Sequence, residues 1–216
     1  MSSQARENIL GSIRKSLEEN TLPMPFPAAD RNEEFYVSEE ISIEEKFAQE
    51  FSNLGGKFVY CADESEMIQQ LESLRDAMKW NQIHVKDAFL QALFKENQLD
   101  FINESQDMSQ IEVGLSLCEC LVARTGSVIL SSGQEYGRAL PVYSPIHITI
   151  AFANQLVWNI SNATALLKEK YNNEIPSMIS LTTGPSRTAD IEKTLVVGVH
   201  GPKEVFVFLI DKNWKK

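Results

Sequence analysis

Apolar positions near the start of the chain recur every three to four residues, with Ile9, Leu10, Ile13 and Leu17 on one face of a predicted helix. Pro23, Pro25 and Pro27 then hold LPMPFPAA (22–29) extended, because each proline lacks an N–H and pushes its predecessor out of the helical region. We therefore expect an N-terminal amphipathic helix and Pro-rich linker over 1–37, and one α/β domain over 38–216. The helix is read either as docked on its own domain or as an arm toward a partner subunit.

From Ser38 the hydrophobic period alternates between helix and strand. Ile43, Phe47, Phe51 and Leu54 predict a helix ended by Gly55 and Gly56, followed by a short strand, KFVYC (57–61). Met67, Ile68, Leu71, Leu74 and Met78 predict the next helix. A strand over 82–86, a helix over 89–96 and a strand over 99–102 follow. That rhythm predicts a parallel sheet with helices on its faces. Further on, 111–117, 126–131 and 146–152 read as strands joined by short loops, and Ser161 or Asn162 is expected to cap a helix running to about Tyr171. A strand over 178–182 precedes a short helix over 186–193. Strands over 194–200 and 205–211, joined at Gly201-Pro202, are expected to form a terminal antiparallel pair. The predicted fold class is α/β, a mixed sheet with helices on both faces.

Composition changes this picture mainly by exclusion. With 216 residues, 43% hydrophobic and 23% charged, the chain can bury the core of one domain. A net charge of −10 argues against nucleic acid as a partner. No apolar run reaches the roughly 18 residues of a membrane span, and the charged N-terminus lacks the apolar core of a signal peptide. Cys61, Cys118 and Cys120 are an odd number and form no disulfide framework, which suits a reducing compartment. We expect a cytoplasmic protein without membrane insertion.

The segment richest in candidate chemistry is TGPSRTADIE (183–192), between an apolar strand and an expected helix start. Gly184 permits a tight turn, Ser186 and Thr188 bring hydroxyls, and Arg187 brings a guanidinium. Together with free helical N–H groups they predict a site for a phosphate or carboxylate. The plainer reading is a capped helix with Arg187 in solvent. Asp190 and Glu192 suit a helix dipole but oppose a bound anion. Ser186 as a nucleophile, with His147 or His200 as base, fails the nucleophile-elbow pattern because Thr188 stands where its second glycine belongs. Glu135, in the polar loop SSGQEYG (131–137), is a candidate acyl-accepting carboxylate, or else a solvated loop residue. Cys118-x-Cys120 lacks the further ligands that a tetrahedral metal or cluster needs and reads as buried thiols, and His84 as a core histidine. No Walker A loop, GxGxxG or HExxH occurs, so no cofactor is expected on this chain.

GPSRTADIE (184–192) and VVGVHGP (196–202) resemble the C-terminal signature of the lactate-utilisation protein C family, the LUD domain. ARTGSVIL (123–130), Arg138, Pro141 and PIHIT (145–149) fall upstream in that family's order, so the resemblance spans roughly 38–211. It implies a three-layer α/β/α fold like the ribose-5-phosphate isomerase, glucosamine-phosphate deaminase and CoA-transferase group. It also implies a part in oxidising L-lactate to pyruvate beside two partner proteins, at least one of them an iron–sulfur protein. The site residues it implies are Thr125, Gly126, Arg138, His147, Gly184, Ser186, Arg187, Thr188, Asp190, His200 and Gly201, binding a small anionic metabolite. Arg124 stands where the family usually has an acidic residue, and Ser127 where threonine is common. Related folds host isomerases and transferases, so a stand-alone enzyme on a phosphorylated or CoA-linked metabolite, or a non-catalytic ligand-binding module, remain alternatives.

Overall fold

A computed structural model describes residues 3–19, 40–103, 111–188, 196–198 and 201–214. The chain divides into Met1–Glu40 and Ile41–Lys216. Helix α1 (Ser3–Glu19) belongs to the first unit, and the proline segment 22–29 lies outside the described residues.

The second unit begins with α2 (Ile43–Asn53), where Ser42 accepts the N–H of Glu45 and the Glu45 carboxylate accepts that of Ser42. It continues through β1 (Lys57–Cys61), α3 (Glu64–Met78), β2 (Ile83–Val85), α4 (Ala88–Glu96), β3 (Ile102–Asn103) and β4 (Val113–Leu117). There follow β5 (Cys120–Val122), β6 (Ser127–Ser131), α5 (Leu140–Tyr143), β7 (Ile146–Phe152), β8 (Leu156–Val157) and α6 (Ile160–Lys170). The last strands are β9 (Ile179–Thr182), β10 (Arg187–Thr188), β11 (Val196–Val197) and β12 (Glu204–Ile210).

Six strands form a central sheet in the order β1-β12-β7-β4-β2-β3, every pairing parallel. One face packs on α3 and α4, through Met67, Leu71, Leu90 and Phe94. The other meets Phe47 and Phe51 of α2, Leu140 of α5, and Leu121, Val128 and Leu130 of a second sheet. That sheet, ordered β8-β5-β6-β9, mixes parallel and antiparallel pairs and carries α6 on its far face through Ala163 and Leu167. The fold is therefore α/β, a parallel central sheet with helices on both faces, and the mixed pairing belongs to the smaller sheet.

Three local expectations are corrected. The final strand does not close an antiparallel hairpin, since β12 lies parallel between β1 and β7. Its run VFVFLI is buried throughout, as a strand covered on both faces must be. No helix starts at Ser186: Arg187 and Thr188 pair with Val197 and Val196 in a two-stranded ribbon, while residues 189–195 lie outside the described part. Backbone partners explain this, because the Ser186 N–H donates to Pro202 and the Ser186 carbonyl accepts from Gly198, an extended pattern that a helix start cannot share. The cap of α6 is Asn159, whose N–H donates to the side chain of Asn162.

Candidate functional site

Parallel sheets place ligand crevices beyond the carboxyl ends of their strands. Here β2, β4, β7 and β12 end side by side, and the segments leaving them wall a crevice of about 740 Å³. Asp87 follows β2, Glu119 follows β4, Gln155 follows β7 and Trp214 follows β12, while Glu135, Lys170 and Tyr171 close the far wall.

Glu119 is buried and fully engaged. It accepts from Lys170 Nζ at 2.5 Å, Tyr171 Oη at 2.6 Å and Ser131 Oγ at 2.5 Å. Burial and the neighbouring carboxylate push the Tyr171 phenol up to about 12, so it stays a donor. The Gln155 amide donates to the Cys118 carbonyl at 2.8 Å, and its oxygen accepts the Phe152 N–H at 2.8 Å. Asp87 is 4% exposed, and its carboxylate accepts the Leu117 N–H at 3.3 Å. Desolvation pushes its carboxyl up to about 6. Glu135 accepts the Ala88 N–H at the start of α4. Beside the crevice stand Phe89 and Trp214, ring centroids 4.5 Å apart and edge-on.

The residues singled out from sequence gather mostly at the opposite, amino end of the sheet. Gly184 (φ +75°) lies against the end of α2, where an added Cβ would sit 2.8 Å from the Leu54 oxygen. The Arg187 guanidinium donates to that same Leu54 carbonyl at 2.7 Å. Gly201 backs onto Ser186, and Ser186, Gly184 and Gly201 line a cleft of about 260 Å³ with Pro141 and Pro202. Gly126 (φ +57°) also touches α2, and hydroxyl contacts run from Thr125 to Ser127 and from Ser127 to Thr183. Thr125, Gly126, Gly184, Ser186, Arg187 and Gly201 thus share one region, with the Thr188 backbone in the adjoining ribbon. Arg138 is separate, donating to Ser177 beside β9. His147 is buried in β7 with Nε2 3.0 Å from Ser116 Oγ, and desolvation lowers it to about 4, leaving a neutral imidazole at pH 7. Asp190 and His200 lie outside the described residues.

Asp87 and Glu119 escaped the sequence reading. A signal for Glu119 was present: a lone charge inside the apolar run LSLCECLV has to be buried and paired. Cys118 and Cys120, which flank it, are buried thiols, with burial pushing Cys120 up to about 12 and Cys118 well above its usual range.

These features define an α/β protein whose parallel sheet opens on a carboxyl-end crevice and whose amino end is closed by a glycine-rich signature. Residues 43–210 match the LUD domain, and the chain belongs to that family. The Lactate utilization protein C of Bacillus licheniformis is 36% identical over 110 residues, 50% of this chain and 46% of that protein. Its Bacillus subtilis counterpart is 35% identical over 48% of this chain and 44% of its own length. The match therefore spans a little under half the length of these relatives. An uncharacterized protein of Neisseria meningitidis serogroup B is 28% identical across 95% of this chain and 93% of its own. A crystal structure of a DUF162 family protein from Deinococcus radiodurans shares the fold, with TM-score 0.56 and 18% identity over 78% of this chain and 96% of that one. No helix among the described residues is long and apolar enough to cross a membrane.

Proposed function

We propose that this protein serves lactate utilisation as a subunit that does not itself carry electrons, working beside iron–sulfur proteins that oxidise L-lactate to pyruvate. The observation that carries this reading is the LUD-domain match over 43–210, joined to relatives that bear the name Lactate utilization protein C. In the same reading the chain contributes recognition of a small anionic metabolite at the amino-end cluster. Arg187 uses one N–H on Leu54, which leaves guanidinium donors to pair with a carboxylate, and its chain neighbour Ser186 lines the cleft. Gly184 and Gly201 let Leu54 and Ser186 pack directly on the backbone and so hold the Ser186 segment in place.

The test is growth on L-lactate as sole carbon source. A strain lacking this chain should fail to grow, the wild-type chain should restore growth, and Arg187→Ala should restore it poorly despite normal protein levels. Iron–sulfur proteins should co-purify with the wild-type chain. Undiminished growth of the deletion strain would remove the lactate role, and full rescue by Arg187→Ala would remove the anion site alone.

A further inference from the structure

The two ends of the sheet differ in charge as well as in shape. In the carboxyl-end crevice three carboxylates, Asp87, Glu119 and Glu135, face one ammonium, Lys170, already ion-paired with Glu119. Asp87 is the lightly bonded buried member. It occupies the N-cap position of α4 without making a capping bond, and its Oδ2 accepts the Leu117 N–H. A buried carboxylate that lines a cavity and has few protein donors can accept a further hydrogen bond from a molecule within that cavity. A phosphate or carboxylate placed there would instead meet Asp87 and Glu135 with no unengaged cation among the described lining residues.

The neighbouring wall is aromatic. Trp214 packs against Phe89 at 4.5 Å and Phe152 at 4.7 Å, and Phe89 remains 40% exposed. Trp214 and Phe89 line both the crevice and an adjoining hollow of about 460 Å³, so apolar surface is available next to the carboxylate. This pairing of an aromatic wall with an acceptor-only group is how proteins hold a ring that carries a donor.

We propose that the carboxyl-end crevice binds a small molecule without negative charge, in which an aromatic or apolar ring carries an amine or hydroxyl. The ring rests against Phe89 and Trp214, and the amine or hydroxyl donates to Asp87. This site is separate from the Arg187 cluster and opposite to it in charge preference.

The test uses the full chain and two matched probe pairs: 2-phenylethylamine with phenyllactate, and adenosine with adenosine 5′-monophosphate. Each pair keeps a ring and changes the charge. The readout is the indole N–H resonance of Trp214, assigned by its loss in Trp214→Phe. Phenylethylamine and adenosine should shift it saturably, and their anionic counterparts should bind at least about tenfold more weakly, a gap of about 1.4 kcal/mol. Asp87→Asn keeps an acceptor for the Leu117 N–H and should weaken both binders by about tenfold or more, the same gap. Phe89→Ala, at a partly exposed position, should weaken them as well. Silence of both uncharged or cationic probes, equal binding of the anionic ones, or unchanged affinity in Asp87→Asn would each overturn the proposal.

Discussion

At the amino end of the central sheet, closeness is achieved by small residues and backbone contacts. Gly126, Gly184 and Gly201 sit where a side chain would strike Phe51, Leu54 or Ser186, and Arg187 reaches a main-chain oxygen. At the carboxyl end, the contacts are among long polar side chains from segments far apart in sequence: Ser131, Lys170 and Tyr171 converge on Glu119. The first region also joins segments far apart, as Arg187 and Leu54 show, but its glycines hold positive φ, and that local requirement leaves a compact sequence signature. The second is built by topology, which brings four strand ends together and leaves only the lone charge of Glu119 in its apolar run as a local sign. A strong local motif therefore marks where the chain must turn tightly, while the larger cavity forms where unrelated segments end.

The largest effect should come from the carboxyl end. Glu119→Ala strands the Lys170 ammonium and two hydroxyls beside a buried site, and should cost about 3–5 kcal/mol, or roughly 10 °C in melting temperature. A loss of under about 3 °C, roughly 1 kcal/mol, would show that this network does not anchor the crevice. Next comes the amino end, where Gly126→Ala places a Cβ 2.4 Å from the Phe51 nitrogen at a positive φ. Strain and clash together should cost about 3 kcal/mol in denaturant unfolding, and a neutral result would mean that α2 yields easily.

The third prediction sets the two ends against each other in pH. His147 is lowered from 6.5 to about 4, so the unfolded chain takes up a proton before the folded chain does, and stability falls as pH drops through that window. Asp87 is raised from 3.8 to about 6, so the folded chain binds the proton first, and stability falls as pH rises through nearly the same window. Each is worth roughly 2–3 kcal/mol, with opposite sign. Asp87→Asn should therefore be more stable than wild type at pH 7 and should expose the acid loss due to His147 when melts at pH 4.5 and 7 are compared. The smallest effect is Arg187→Ala, which removes one exposed hydrogen bond and should change stability by less than about 1 kcal/mol. A larger loss would make Arg187 a clamp on α2 before it is anything else.

Periodicity alone defined much of this protein. The Ile43–Phe47–Phe51 spacing makes α2 readable, KFVYC falls on β1 residue for residue, and Gly184 takes the positive φ that a tight turn asks of it. Such features depend on contacts within a few residues, so they are written locally. Tertiary structure decided the rest. VFVFLI was legible as a strand but not as the partner of β1 and β7, because a fully apolar strand does not name its neighbours. Arg187 and Thr188 became a ribbon because Pro202 and Gly198 supplied backbone partners from beyond the segment. Asp87 and Glu119 owe their burial, and Asp87 its raised carboxyl, to strands 30 residues apart lying side by side, an environment that only the folded sheet creates.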